Sequence, residues 1–185
     1  MLSSGETAVY AVAMILLNYS FAFGEGIQSA VVALTGRAYG ARDYQAFLNY
    51  FRIALAFGVM CSVMLGIIYI TASEVYYKAF FTDRGAVDDG SRYSVYAAVL
   101  TLLQIIRIVD IGAMRGMGEV KAPRIIATIC VTIVSPLFTY LMAIPAGYGV
   151  EGFWRAAVIS QGLWFVMAAG ACHMHMKRLR GELLC

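Results

Sequence analysis

Long apolar runs separated by short polar islands organise this 185-residue chain. Crossing about 30 Å of hydrocarbon takes about 20 mostly apolar residues. Five stretches have that length: about residues 8–34, 47–71, 93–114, 123–144 and 153–174. The lipid core offers backbone groups no water to bond, so helices are expected. Membrane β-strands would be about ten residues long and alternate strictly, and these runs do neither. The expected fold is therefore all-α integral membrane, with about five transmembrane helices forming one unit over 1–185.

The polar punctuation predicts where helices stop. Gly36, Gly40 and Asp43 break the chain after the first run. Ser91 is placed to cap the third helix by accepting from its first free N–H groups. Pro123 suits the first turn of the fourth helix. Pro145 and Gly147 end that helix, and Pro136 inside it removes a backbone bond and predicts a kink. From Glu74 to Asp83, Tyr76, Tyr77, Phe80 and Phe81 read as an aromatic interfacial piece closing the second run.

Composition agrees with the pattern. Hydrophobic residues make up 61% and charged residues 14%, against about 45–50% and about 25% in soluble domains. The net charge of +3 is not gathered into a basic stripe, so no nucleic-acid partner is expected. Nine basic residues fall in the first and third inter-helix loops and the tail: Arg37, Arg42, Arg52, Arg115, Lys121, Arg124, Lys177, Arg178 and Arg180. The opposite face has four: Lys78, Arg84, Arg92 and Arg155. Positive residues favour the cytoplasmic side, which predicts a multi-pass inner-membrane protein with a cytoplasmic C-terminus. An outside N-terminus without a translocation signal suggests a fragment whose preceding span is missing.

Charge inside a span costs roughly 2.5–3.5 kcal/mol and marks functional candidates. Glu25, Arg107 and Asp110 qualify. Arg107 and Asp110 are three apart and can face each other, either as a self-neutralising pair or with Asp110 exchanging a proton or meeting a cationic substrate. Glu25 has no charge partner in its own helix and is flanked by Gly24 and Gly26. It is either solvated near the cytoplasmic end or a buried carboxyl suited to proton exchange. Gly36-x-x-x-Gly40 and Gly112-x-x-x-Gly116 have helix-packing spacing, but at helix ends turn glycines are the expected reading.

Other features promise less. Trp154, Trp164, the tyrosines and the ten methionines read as interfacial anchors and packing rather than as a cavity lining. His173 and His175 share no helix face, so no metal site is expected. Cys61, Cys130, Cys172 and Cys185 form no C-x-x-C pair and read as free thiols. Asn18-Tyr19-Ser20 matches a glycosylation sequon in mid-span and is discounted. No nucleophile–base pair or phosphate loop is present, so neither an enzyme nor a cofactor is expected.

Four motifs occur in order along the chain. They are Gly24-Glu25-Gly26-Ile27-Gln28 followed by Gly36-Arg37-Ala38-Tyr39-Gly40-Ala41-Arg42-Asp43-Tyr44; Phe80-Phe81-Thr82-Asp83 with Val87; Met114-Arg115-Gly116-Met117-Gly118-Glu119-Val120-Lys121-Ala122-Pro123; and Gly147-Tyr148-Gly149-Val150-Glu151-Gly152-Phe153-Trp154-Arg155-Ala156. Together they resemble the loops of multidrug and toxic compound extrusion (MATE) transporters. The resemblance implies part of a six-helix lobe, the C-terminal half of a twelve-helix protein, supplying its helices eight to twelve. It also implies export of drugs or organic cations, with Na+ or H+ as the coupling ion and no other cofactor. Membrane lipid would be a partner, as would the missing N-terminal lobe or a second copy of the chain. Some members have an aspartate in the tenth helix; the nearest position here is Gln104, an amide in place of a carboxylate. Alternatives are a lipid-linked-oligosaccharide flippase of the same superfamily and a truncated fragment that does not transport.

Overall fold

The structure is a computed structural model and describes residues 4–143 and 149–184. Its helices are α1 (Ser4–Gly40), α2 (Tyr44–Thr71), α3 (Ser73–Lys78), α4 (Arg84–Gly116), α5 (Lys121–Ile129), α6 (Ser135–Ala143) and α7 (Gly149–Leu184). A π-helical turn, Cys130–Val134, joins α5 to α6. Among the described residues, five helical segments are long and apolar enough to cross a membrane: Thr7–Gly40, Tyr44–Thr71, Arg84–Gly116, Lys121–Met142 and Val150–Gly181.

Several helices run past their expected ends. The first passes through Gly36 and stops at Gly40, and the third begins at Arg84. Ser91 is therefore inside α4, and Asp83 is the cap, its Oδ2 accepting from Ala86 N at 3.1 Å. The expectation failed because the mostly polar or small residues from Arg84 to Gly90 add helix that hydropathy does not register. Asp43 caps α2 in the same way, through Ala46 N at 2.9 Å. Pro145 and Gly147, expected to end the fourth helix, lie outside the described residues.

Helices α1 and α4 finish in the same Schellman geometry. At α4, Glu119 N bonds Met114 O and Gly118 N bonds Arg115 O, with Gly118 at φ +79°. At α1, Asp43 N bonds Ala38 O and Arg42 N bonds Tyr39 O, with Arg42 in the left-handed region at φ 56°.

Helix α4 is the axle. Its buried positions run from Val87 to Met114 and meet both main core clusters. Helix α1 packs parallel to it: Ser20 meets Thr101, Gln28 meets Ile108, and Gly36 meets Gly116. Helix α2 runs the other way, with Gly58 at Ile105 and Gly66 at Ala98. The 41–43 and 117–120 connections therefore share one end of the bundle, and α3 lies at the other. Mid-bundle, the Ser20 hydroxyl bonds Tyr69 OH at 2.7 Å and Thr101 Oγ1 at 3.0 Å, tying α1, α2 and α4 together.

Three readings of side-chain role change. Gly36, Gly112 and Gly116 are packing glycines, because a Cβ on each would meet the opposite helix, whereas at Gly40 it would meet nothing. Tyr77 is fully buried rather than interfacial. Its ring lies where a Cβ on Gly90 would stand, and its hydroxyl is pushed up to about 12 by burial. Trp154 is buried against Tyr10, Tyr93 and Tyr96 rather than anchored at an interface.

The fourth span is not a uniform α-helix. Pro136 has no N–H for the Thr132 carbonyl and its ring crowds that turn. The backbone answers by widening, and Ser135 N bonds Cys130 O. Such π turns gather at functional sites.

Candidate functional site

A polar cleft of about 480 Å3 lies between α1, α4, α5 and α7. Glu25 and Gln28 reach it from α1, Arg107 and Arg115 from α4, Arg124 from α5, and Trp164 from α7. The volume falls within the range of about 300–1,000 Å3 usual for ligand sites.

Helical spacing puts the α1 pair there, because residues three apart share a face. Gln28 is held at both ends of its amide. Its Nε2 donates to Ile108 O at 3.2 Å, and its Oε1 accepts from Arg115 Nη1 at 2.7 Å. Gly112 leaves room for this, since a Cβ there would be 3.2 Å from Gln28 Cγ.

Arg107 is the deepest cation. It is 4% exposed, and its Cζ lies 3.5 Å from the centre of the Trp164 ring. A cation over an indole gains about 0.5–2 kcal/mol. That contact does not use the guanidinium's donors, and buried Nε has no hydrogen-bond partner. Glu25 is exposed and close enough to act on Arg107 electrostatically.

The expected facing of Arg107 and Asp110 does not form. Neither residue enters an ion pair among the described residues. Arg107 turns towards Trp164 and the cleft, whereas buried Asp110 lies within electrostatic reach of Cys172 on α7. A stack on an aromatic face is available to Arg107 only from another helix, which spacing along α4 cannot reveal. Gln104 is buried on α4 outside the cleft wall. Of the four sequence candidates, the structure thus brings Glu25 and Arg107 together and leaves Gln104 and Asp110 elsewhere.

Sequence reasoning missed Gln28, Arg115, Arg124 and Trp164 as cleft residues. A signal existed for Gln28, a second polar residue three positions from Glu25. Trp164 also borders a smaller cavity of about 160 Å3 beside the π turn. There Ser160 Oγ, Gln161 Oε1 and Trp164 Nε1 are buried without hydrogen-bond partners. Among the described residues no group of three or more His, Cys, Asp or Glu could hold a metal ion.

Among the described residues, four membrane-length helical segments around a fifth, buried one, with a polar cleft cut into an apolar body, define part of a polytopic membrane protein. The MatE family model matches residues 1–141, and the chain belongs to that family of transporters. It is 28% identical over 178 residues to a probable multidrug resistance protein NorM of Caulobacter vibrioides, covering 96% of this chain and 37% of that protein. It is 23% identical to a protein of the same name from Pseudomonas putida, covering 98% and 40%. Among solved structures, a MATE in the bent conformation matches with a TM-score of 0.89 at 16% identity, covering 98% of this chain and 40% of that one. An inward-facing multidrug resistance MATE transporter matches at 0.86 and 17% identity, covering 94% and 40%. The chain thus spans about 40% of the length of these relatives.

Proposed function

We propose that this chain is part of one lobe of a cation-coupled exporter in the inner membrane. It moves drugs or organic cations outward while protons or sodium ions move inward. Multidrug resistance relatives support the reading, and the observation that carries it is the cleft. A polar cavity ending on buried Arg107 is costly to keep in an apolar bundle unless a solute uses it. Alternating access needs two lobes around such a site, so the activity belongs to this chain together with a partner lobe or a second copy.

Glu25, exposed on the cleft wall, is the carboxylate that would attract an organic cation. Asp110 and Glu25 are the carboxyls available for proton exchange. The outward apolar faces of α2 and α6, with Phe57, Met64 and Ile67 on one and Leu137 and Tyr140 on the other, suit contact with lipid. The test is substrate-stimulated flux in liposomes containing the protein as its native gene expresses it. Ethidium movement driven by an imposed proton or sodium gradient is expected, and Glu25→Gln and Asp110→Asn should reduce it about tenfold or more. No flux under either gradient would overturn the reading. Unchanged flux in both variants would remove these carboxyls from it.

A further inference from the structure

We propose that the small cavity between the π turn and α7 binds an uncharged group that both donates and accepts hydrogen bonds, a primary amide being the best match. This deepens the exporter reading and rests on it for the idea that the group is an arm of a cationic cargo. The cavity measures about 160 Å3. Ala157, Ser160, Gln161 and Trp164 recur at helical spacing, so one face of α7 forms its wall. The widened turn that carries Cys130 faces it. Ser160 is 6% exposed. Among the described residues its Oγ, Gln161 Oε1 and Trp164 Nε1 are buried without hydrogen-bond partners. A buried polar atom left unpaired loses its hydration with nothing in return, and hydrocarbon around the bundle cannot restore it. Pro136 adds to the deficit, having no N–H for the turn before it. A single packing flaw would orphan one atom; three on one helix face point to an occupant.

The three groups specify that occupant. The indole N–H only donates, the Gln161 Oε1 only accepts, and the Ser160 hydroxyl does both. An amide answers all three: its carbonyl accepts from the indole N–H and the serine O–H, and its N–H donates to Gln161 Oε1. Among the described residues no charged side chain lines the cavity. Arg107 stands beside it, stacked on Trp164 and within electrostatic reach of Cys130. That positive charge disfavours an ammonium group in the cavity. Water takes about 30 Å3 per molecule, so the space would hold several. Cys130, Val131 and Ala157 make part of the wall apolar, however, which suits the methylene next to an amide better than water. Trp164 borders the cleft as well. A two-ended ligand thus has one orientation, with its ammonium towards exposed Glu25 in the cleft and its amide in the cavity.

The protein as its native gene expresses it is placed in nanodiscs of zwitterionic lipid and titrated calorimetrically. The ligands are trimethylammonio-alkanamides of graded chain length and alkyltrimethylammonium ions of the same lengths, so that each pair differs only in the terminal amide. At one length or more the amide is expected to bind about tenfold more tightly, the return on one or two net hydrogen bonds. Ser160→Ala should cut that preference about threefold. Combining it with Gln161→Leu should abolish the preference and leave binding of the plain ammonium ions unchanged. Ser160→Ala removes no hydrogen bond from the fold, so it keeps the test informative if the double variant does not fold. Hexanamide alone separates the sources of the group. Competition with the tethered amide shows that a free neutral solute also enters, and failure to compete confines the cavity to an arm of the cargo. Equal binding within every pair would overturn the proposal and leave the exporter reading standing. So would a preference that survives the double variant. If no ammonium ion binds, the exporter reading loses its cationic cargo, and hexanamide decides the cavity. Saturable binding that Ser160→Ala weakens sustains the site, and its absence overturns it.

Discussion

Glu119 folds back over the start of α5, and its Oε1 accepts from Lys121 N and Ala122 N, each at 3.1 Å. Val120 stands at the cap position with no side-chain bond of its own, so Glu119 does the work of an N-cap. The Ala122 N–H, with that of Lys121, holds the carboxyl below its usual value of 4.5. A depressed carboxyl stabilises the folded state above its unfolded value, and that contribution is lost as pH falls through the folded value. Amide exchange at Lys121 and Ala122 should therefore lose protection below about pH 4.5, and Glu119→Ala should lose it at pH 7 as well. Protection in the variant equal to wild type would show that the bonds carry no weight. At this scale the glutamate was legible only as part of a loop motif. Its acceptor role depends on the Gly118 turn.

Helix contact is decided by a few missing side chains. At Gly116, a Cβ would overlap Thr35 Oγ1 and lie 3.0 Å from the backbone of Gly36. Backbone cannot step aside as a side chain can, so Gly116→Ala should destabilise the bundle by about 1–3 kcal/mol, the usual cost of overpacking. Gly40→Ala is the control. It meets nothing and should stay within about 0.5 kcal/mol of wild type. Thermal unfolding of both in one detergent checks the contrast, and equal losses would refute the α1–α4 contact. The sequence spacing offered both glycine pairs as packing candidates. It could not rank them, because whether a glycine at a helix end faces a neighbour depends on where that neighbour lies.

The whole molecule has two ends with different charge. Parallel α1 and α4 and antiparallel α2 put the connections at 41–43 and 117–120 on one end and α3 on the other. In a variant without its native cysteines, Arg42→Cys should react with an impermeant maleimide only in inverted vesicles. Thr82→Cys should react only from outside the cell. The reverse pattern would overturn the orientation drawn from the basic residues.

Five apolar runs, their helical form and the three intramembrane charges could be read from the order of residues, because hydrocarbon thickness and backbone hydrogen bonding act on each segment alone. Four loop motifs also pointed to the family. The partner of each charge could not be read in this way. Arg107 and Asp110 are neighbours along α4, yet one stacks on Trp164, 57 positions later, and the other lies within electrostatic reach of Cys172. Gln28, Arg115 and Arg124 form one wall only because glycines let α1 and α4 close and α5 folds back beside them. Local physics set the helices. The site exists only where their faces meet, and that meeting depends on side-chain volume and on the π turn before Pro136, both properties of the packed bundle.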